Sequence, residues 1–306
     1  MEEISIRTRI KSFIKQKITK LNPFNYCAFV FTRNKHPSSF RHYLSIVAIV
    51  KNEAPYIQEW IEYHLLVGIE KFYIYDNGSE DNLQQLLKPY IDDDIVKYIY
   101  YPGEKKQIWA YNDVLKYAQK ETFWLAVIDL DEFIVPISTR TITEFLYDFE
   151  DIVAVEINWV CYGSSGQEKK TEGLVIERFK DHSLLDFDGN RNVKTIMNPR
   201  TVSYISVHDA VYYSGKRSVN IHKEENIIYF HNREAIHDKM RINHYFCKSY
   251  EEYLLKRNRG IATARKNEKR PLQDFYNHNK NDVKNDTIMD KYIPAIKEIL
   301  DKRNIE

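Results

Sequence analysis

Cysteine is scarce in this chain, and its pattern excludes two classes of protein. Only three cysteines occur among 306 residues, at Cys27, Cys161 and Cys247. Because their number is odd and they lie far apart, they form neither a disulfide framework nor a run with zinc-binding spacing. This scarcity favours a reducing compartment, and we expect the protein to be cytoplasmic.

The chain also lacks long hydrophobic runs and an overall charge. Its apolar runs are far shorter than the about 18–20 residues that a membrane-spanning helix requires. The N-terminus is basic but has no hydrophobic region followed by a small-residue cleavage site, so we expect no secretory signal. A net charge of +1 argues against a general polyanion binder. The basic stretch 256–270 lacks an ordered recognition motif, so nucleic acid is not an expected partner.

Basic residues are concentrated at the N-terminus, where residues 1–41 carry nine Lys or Arg against two Glu. Apolar residues recur there at near-helical spacing: Ile6, Ile10, Phe13, Ile14 and Ile18. Residues 1–42 are therefore predicted to be a basic amphipathic appendage that binds an anionic membrane surface. In the alternative interpretation, the appendage packs on the main domain and its lysines face solvent.

From residue 43 the chain alternates between strand and helix patterns. Strands are predicted at 43–50, 71–75, 95–101 and 123–128, and helices at 54–67, 83–90 and 108–118. This alternation predicts an α/β fold with a parallel sheet.

After residue 136 the pattern is less regular. It indicates strands at 152–159 and 174–179, short strands and loops over 192–230, and helices at 249–259 and 292–302. Because no linker interrupts residues 43–306, we predict one domain with an elaborated C-terminal half.

Two aspartates follow the last strand of the regular half. Asp129 and Asp131 come directly after an apolar run, and residues i and i+2 of an extended segment share a side. Two carboxylates at the end of a buried strand suit a hard divalent cation and, through it, a diphosphate. In the alternative interpretation they merely end the strand.

Polar residues also end the first two strands. Lys51, Asn52 and Glu53 follow the first, and Asp76 ends the second. Because parallel strands have their carboxyl ends at one edge of the sheet, these groups and the two aspartates predict a ligand-binding cleft there.

Six short motifs occur along the chain in the order Val50-Lys51-Asn52-Glu53, Glu59-Trp60-Ile61-Glu62-Tyr63-His64, Tyr73-Ile74-Tyr75-Asp76-Asn77-Gly78-Ser79, Trp124 with Asp129-Leu130-Asp131-Glu132-Phe133, Tyr162-Gly163-Ser164-Ser165-Gly166, and Asn243-His244-Tyr245 with Lys248-Ser249. Over about 43–260 they resemble glycosyltransferase family 92 and its family-2-like bacterial relatives. The resemblance implies a GT-A fold, a nucleotide-sugar donor, a divalent metal (Mn²⁺, or Mg²⁺) and inversion at the anomeric carbon.

The resemblance also implies site residues. Asp76 would meet the uridine and Glu53 the base or ribose, Asp129 would face the ribose or the metal, and Asp131 would ligate the metal. His244 is the candidate for a further metal ligand. Lys248, Arg257 or Arg259 could add positive charge at the donor phosphates. UDP-galactose is one candidate donor, although no residue fixes the sugar.

Inverting transfer needs a base for the acceptor hydroxyl, and the candidate is Asp209, with Glu132 and Glu177 as alternatives. His208 beside Asp209 fits an ordinary structural role better. Trp159 and the loop 163–166, with Ser164 and Ser165, are candidates for the acceptor side. We accordingly expect residues 43–136 to bind the donor, 137–260 to bind the acceptor, and 261–306 to form a helical tail.

Two other functions stay open at this stage. The Asp-Leu-Asp-Glu run at 129–132 also resembles the nucleophile motif of haloacid-dehalogenase-like phosphatases, but Phe133 stands where that motif has Thr or Val. A non-catalytic sugar-binding protein of the same fold is the other alternative. We expect a glycosyltransferase of surface polysaccharide or lipopolysaccharide synthesis, with a glycan or glycolipid acceptor, at the inner face of a bacterial membrane.

Overall fold

A computed structural model of the chain describes residues 30–31, 35–213, 215–225, 232, 234–260 and 269–303. Most of the predicted appendage 1–42 lies outside the described residues, as do Cys27 and positions 261–268 of the predicted tail. The membrane-binding role of residues 1–42 therefore stays a prediction. Within the described ranges, no helix has both the length and the apolar character needed to cross a bilayer.

The first half of the fold alternates strands and helices, as the sequence predicts. Its strands are β1 (His42–Val50), β2 (Lys71–Asp76), β3 (Val96–Tyr100) and β4 (Thr122–Val127), and its helices are α1 (Ala54–Leu66), α2 (Leu83–Asp92), α3 (Gln107–Asp113) and α4 (Leu115–Glu121). Alternate side chains of β1 point to opposite faces, where α1 and α2 pack on one side and α3 and α4 on the other. Burial on both faces explains why these strands read as continuous apolar runs.

The single helix predicted over 108–118 is two short helices that meet at Val114. The side chain of Asn112 donates to the carbonyl of Ile205 and accepts from its backbone N–H, each at 2.9 Å. These bonds tie the end of α3 to a distant strand, and the helix divides directly after them. A local sequence pattern cannot predict a contact with a residue so distant along the chain.

The second half contributes the strands β5 (Glu132–Pro136), β6 (Ala154–Cys161), β7 (Val193–Met197), β8 (Val202–Ile205), β9 (Ala210–Tyr212) and β10 (Met240–His244). Its helices are α5 (Ile142–Leu146), α6 (Val175–Arg178), α7 (Tyr250–Asn258), α8 (Leu272–His278) and α9 (Ile293–Arg303). Single 3₁₀ turns lie at Pro37–Ser39, Tyr147–Phe149, Asp188–Arg191, Pro199–Thr201 and Asp290–Tyr292.

One sheet joins the two halves, in the strand order β3-β2-β1-β4-β7-β6-β10-β5. The first four strands run parallel, as predicted, whereas β7 is antiparallel to both β4 and β6, and β5 is antiparallel to β10. β8 and β9 form a separate antiparallel pair. The predicted fold class, α/β with a mostly parallel sheet and an elaborated C-terminal half, is confirmed.

The strand predicted at 174–179 is wrong, because Val175–Arg178 is one helical turn. The carboxylate of Glu59, on α1, accepts hydrogen bonds from the backbone N–H groups of Val175 and Ile176 at 2.7 and 3.0 Å. It thus satisfies amides that the first turn of a helix leaves without a partner. The local sequence is apolar enough for a strand, and only the distant carboxylate decides for the helix.

The C-terminal segment packs back onto the domain through buried polar contacts. Asp286 forms an ion pair with Arg241 of β10 and accepts from the Tyr162 hydroxyl at 2.6 Å. Gly163 lies so close to this segment that a Cβ atom there would overlap the carbonyl of Lys280 and the side chain of Asn281. The glycine is therefore explained by packing against the segment 279–281.

We predict that Gly163→Ala lowers the free energy of unfolding by about 3 kcal/mol, because the added methyl group must push backbone apart. Gly166→Ala is the matched control: Gly166 has a φ of +75° but nothing within 4 Å of an added Cβ, so only the about 1 kcal/mol of left-handed strain is expected. Urea denaturation of both variants measures the difference. Equal losses would contradict the packing explanation.

Candidate functional site

Acidic and basic side chains meet at the carboxyl ends of β1, β4 and β10. Glu53 follows β1, Asp129 and Asp131 follow β4, and His244 ends β10. The backbone N–H of Tyr245 donates to the carbonyl of Asp131 at 2.8 Å, which fixes the end of β10 beside the aspartates. The structure thus brings Asp131 and His244 together from positions more than 100 residues apart.

Asp129 is held by three donors and is about one-third exposed. One carboxylate oxygen accepts from the Tyr111 hydroxyl at 2.9 Å and from the Gln107 amide at 3.1 Å. The other accepts from the Lys194 ammonium at 2.8 Å. Burial acts to raise the pKa of Asp129, but the Lys194 charge outweighs it and holds the pKa below its ordinary value. Asp129 is therefore ionised and fixed in place.

Asp131 is more deeply buried, with 8% of its surface exposed. Its Oδ2 atom forms an ion pair with the Lys256 ammonium and lies 3.7 Å from Nε2 of His244. Burial opposes ionisation, but the Lys256 charge prevails and places the pKa of Asp131 well below its ordinary value. Asp131 is thus a buried, charged carboxylate that already pairs with an ammonium.

His244 packs its ring 4.2 Å from the ring of Trp159. Burial is the main cause that lowers the pKa of His244, so the imidazole is neutral, which is the form that binds metals. Its Nδ1 atom is buried and has no hydrogen-bond partner among the described residues. The neutral ring and its Nε2 atom beside Asp131 make His244 a competent ligand.

The metal-ligating side chains at this edge suit a cation that also binds a substrate. Within the described residues, no group of three or more His, Cys, Asp or Glu side chains could hold a metal ion. Asp131 and His244 supply two donors, and both oxygens of Asp129 already accept from protein groups. Mg²⁺-like ions are commonly held by one or two carboxylates together with substrate phosphates. The residues therefore fit a metal that a diphosphate helps to bind.

The residues predicted to bind the sugar donor contact neighbouring protein groups. Glu53 forms an ion pair with Arg259, whose guanidinium also donates to the carbonyl of Lys51 at 3.2 Å. The carboxylate of Asp76 accepts from the backbone N–H of Ser79 at 2.8 Å and from the Tyr98 hydroxyl at 2.6 Å. These contacts of Asp76 stabilise the turn after β2.

Lys248 follows β10 in a left-handed backbone conformation, with a φ of 51°. Its side chain is buried, and its ammonium lies 4.1 Å from the centroid of the Tyr56 ring. Among the described residues it has no carboxylate within ion-pair distance. A buried ammonium of this kind is suited to an anionic ligand.

The predicted acceptor residues divide into two groups. Trp159 lies against His244 and is therefore next to the candidate metal ligands. The backbone N–H of Ser164 donates to Asn279 at 2.7 Å, and the Ser165 hydroxyl accepts from the backbone N–H groups of Lys180 and Asp181 at 3.0 Å. These contacts hold the loop 163–166 against neighbouring segments.

The candidate bases also have defined partners. The Oδ1 atom of Asp209 accepts from the Ala210 N–H at 2.6 Å and the Tyr212 hydroxyl at 3.2 Å, and burial raises the pKa of Asp209 to about 6. Glu132 is completely buried, and one of its oxygens has no partner among the described residues. Glu177 pairs with Lys297 on α9 at 2.7 Å.

Sequence reasoning missed Lys194, Lys256, Gln107 and Tyr111. Lys194 is a lone lysine within the apolar strand β7, and this signal could have marked it as a buried counter-ion. Lys256 stands in a run of basic residues, which resembles a solvent-exposed face. The two polar side chains of α3 give no signal in the sequence, since only the fold aims them at Asp129.

Helix α7 positions Lys256, and its N-terminus depends on Glu252. Ser249 and Glu252 form a reciprocal capping box. The Glu252 carboxylate also accepts two hydrogen bonds from Arg178, at 2.8 and 3.0 Å. Burial acts against these donors, but Arg178 and Ser249 lower the pKa of Glu252 to about 2.

The comparisons with known proteins show which family the chain resembles. Residues 44–274 match the model of glycosyltransferase family 92. The family 92 protein Os08g0121900 of Oryza sativa subsp. japonica is 27% identical over 141 residues, which are 44% of this chain and 24% of that protein. The family 92 protein At1g27200 of Arabidopsis thaliana is 30% identical over 102 residues, 33% of this chain and 18% of that protein. The matched segments thus span about a quarter or less of these relatives.

Solved structures of other proteins show a weaker similarity. Staphylococcus aureus TarS 1–349 covers 51% of this chain and 47% of its own, at 15% identity and a TM-score of 0.32. Glucosyl-3-phosphoglycerate synthase from Mycobacterium tuberculosis, in complex with Mn²⁺, UDP and glucosyl-3-phosphoglycerate, covers 53% and 58% at 13% identity and a TM-score of 0.30. These scores are too low to support an argument. The GT-A type of fold rests instead on the family match and on the mostly parallel sheet.

We predict that Glu252→Gln destabilises the protein in a pH-dependent way. Because the folded pKa of about 2 lies below the ordinary 4.5, the carboxylate contributes stability above pH 4.5 that is lost as the pH falls toward 2. The variant should lose about 2 kcal/mol of unfolding free energy at pH 7, and the gap to wild type should close in acid.

Urea denaturation at pH 7, 4.5 and 3 measures that gap. Glu298→Gln is the matched control, since Glu298 is exposed and its ion pair with Lys302 lies at the surface, where such pairs contribute little. A gap for Glu252→Gln that does not change with pH would contradict the prediction.

Proposed function

This chain belongs to glycosyltransferase family 92, and from that premise we propose a metal-dependent, inverting transfer of a sugar from a UDP-sugar to a glycan acceptor. The observation that carries the proposal is the pairing of the buried Asp131 carboxylate with the neutral His244 ring, 3.7 Å apart, at the carboxyl edge of the sheet. This pairing is a two-donor site that a diphosphate can complete.

The chemistry requires stabilisation of a leaving diphosphate. In the proposal Asp131 and His244 hold the metal, with Asp129 at the donor ribose or as a further ligand. A bound divalent ion supplies Lewis-acid stabilisation of the negative charge that develops on UDP. Lys248 adds a fixed ammonium beside the same phosphates, where a buried charge acts more strongly than in water.

The donor base and ribose are assigned to Asp76 and Glu53. Both lie at strand ends on the same edge as Asp129, which supports a continuous donor groove over β1, β2 and β4. Their carboxylates now bind Ser79, Tyr98 and Arg259, so donor binding would exchange some of these contacts. UDP-galactose is the first donor to test.

The acceptor side is assigned to Trp159, Ser164 and Ser165, with Asp209 as the general base. Trp159 offers an aromatic face next to His244. The pKa of about 6 at Asp209 lies near neutrality, where a general base works well. The setting we propose is synthesis of a surface polysaccharide or lipopolysaccharide at the cytoplasmic face of a bacterial membrane, with residues 1–42 as the membrane contact.

We predict that the protein releases UDP from one member of a UDP-sugar panel in the presence of Mn²⁺ and a glycan acceptor, and not with chelator. Asp131→Asn should reduce this release by about 100-fold or more, because the neutral amide no longer attracts the cation. Asp188→Asn is the matched control, since Asp188 is an exposed carboxylate that pairs with Arg191 at the surface.

Three results would count against this function. Release that persists with chelator, or in Asp131→Asn, would contradict the metal site. Donor binding without turnover would favour a non-catalytic sugar-binding protein. Hydrolysis of a generic phosphate ester, with no UDP release, would favour a phosphatase.

The base assignment makes a separate prediction. Asp209→Asn should lower kcat for transfer by about 100-fold or more, as expected for loss of a general base, while the Kd for the UDP-sugar measured by calorimetry stays unchanged. Tyr212→Phe is the control, because it removes one hydrogen bond to Asp209 and leaves the carboxylate. Equal kcat values for Asp209→Asn and wild type would move the role to another residue.

A further inference from the structure

Lys256 occupies the place beside Asp131 where a cation would bind. It lies on α7 with 8% of its surface exposed, and its ammonium forms an ion pair with Oδ2 of Asp131. The same ammonium donates to the carbonyl of Phe246 at 3.0 Å and lies 3.9 Å from the centroid of the Phe246 ring. The carboxylate of Asp131 is thus already neutralised by a cation that belongs to the protein.

The oxygen that binds Lys256 is also the oxygen nearest His244. Oδ2 of Asp131 is 3.7 Å from Nε2 of His244, so a metal held by these two atoms would use the oxygen that the ammonium now contacts. Two cations that share one carboxylate oxygen repel each other strongly in a buried environment. Lys256 and a divalent ion therefore cannot both stay at Asp131.

Displacement of Lys256 by a metal alone would leave a buried ammonium without its anion, which is costly. A diphosphate removes that cost, because it brings negative charge to the same edge. The buried ammonium of Lys248, four positions after the end of β10, adds positive charge to the same edge. The anion would thus give both lysines a partner.

We infer that Lys256 is a built-in competitor of the metal, which couples metal binding to donor binding. In the ligand-free protein Lys256 holds the cation position at Asp131. When the diphosphate arrives, Lys256 moves to a phosphate oxygen and the divalent ion takes its place at Asp131. This inference rests on the proposed function, because it assumes that the metal and the diphosphate share the edge.

The coupling has a measurable consequence. The metal should bind weakly by itself and tightly with UDP, and UDP should gain affinity from the metal by the same factor, because binding free energies are reciprocal. In wild type we expect saturating UDP to tighten Mn²⁺ binding by about tenfold or more. No turnover is involved, so the effect is separate from catalysis.

The test measures Mn²⁺ binding to the full chain from the loss of the free Mn²⁺ signal in electron paramagnetic resonance, with and without UDP. In Lys256→Met, Mn²⁺ without UDP should bind about tenfold more tightly than in wild type, and the further gain from UDP should shrink to about threefold or less. Lys256→Arg keeps the charge and should retain the wild-type pattern.

Lys297→Met is the matched control, because Lys297 pairs with Glu177 at the surface of α9 and should leave both affinities unchanged. Thermal melts check that each variant folds, and Lys256→Gln replaces Lys256→Met if the latter unfolds. It removes the charge but keeps a hydrogen-bond donor near Asp131.

The outcomes separate this inference from the proposed function. If wild type binds Mn²⁺ only with UDP and Lys256→Met binds it no better without UDP, Lys256 is a structural counter-ion and the inference is wrong, while the metal site stands. If neither wild type nor Lys256→Met binds Mn²⁺ with or without UDP, the proposed metal dependence is wrong, and the inference is overturned with it.

Discussion

The half-buried carboxylate of Asp129 and the buried carboxylate of Asp131 are kept charged by two buried lysines, and the carboxyl edge of the sheet depends on that balance. Asp129 pairs with Lys194 on β7, and Asp131 pairs with Lys256 on α7. Removing one partner of a buried pair leaves an uncompensated charge, which costs several kcal/mol. The carboxylates can therefore follow β4 directly only because a later strand and a later helix bring the matching charges.

The second half of the chain contributes both lysines. Lys194 lies on β7, which enters the sheet antiparallel between β4 and β6, after the four parallel strands. Lys256 lies on α7, whose N-cap is Ser249, and the capping box and the Arg178–Glu252 pair fix the start of this helix. The irregular topology is thus tied to the electrostatics of the regular half.

The same balance links the fold to the chemistry of a glycosyltransferase. In the proposed function, a nucleotide-sugar diphosphate is an anion that would enter an edge already lined by carboxylates, so its binding would have to add or redistribute positive charge. The buried ammonium groups of Lys248 and Lys256 are available for this redistribution, and the neutral imidazole of His244 can bind a metal without adding charge.

The sequence by itself determined the α/β class, the strands β1 to β4 and the helices α1 and α2 within one or two residues, and the aspartates at the end of β4, because burial on both faces and strand-end chemistry are local patterns. Tertiary structure alone decided the helical turn at Val175–Arg178, the division of the helix near Asn112, and the partners Lys194 and Lys256. Each of these depends on a group supplied from a distant segment: the carboxylate of Glu59, the backbone of Ile205, or an aspartate after β4. Sequence periodicity reports which face of an element is buried, but it does not report which charge lies opposite.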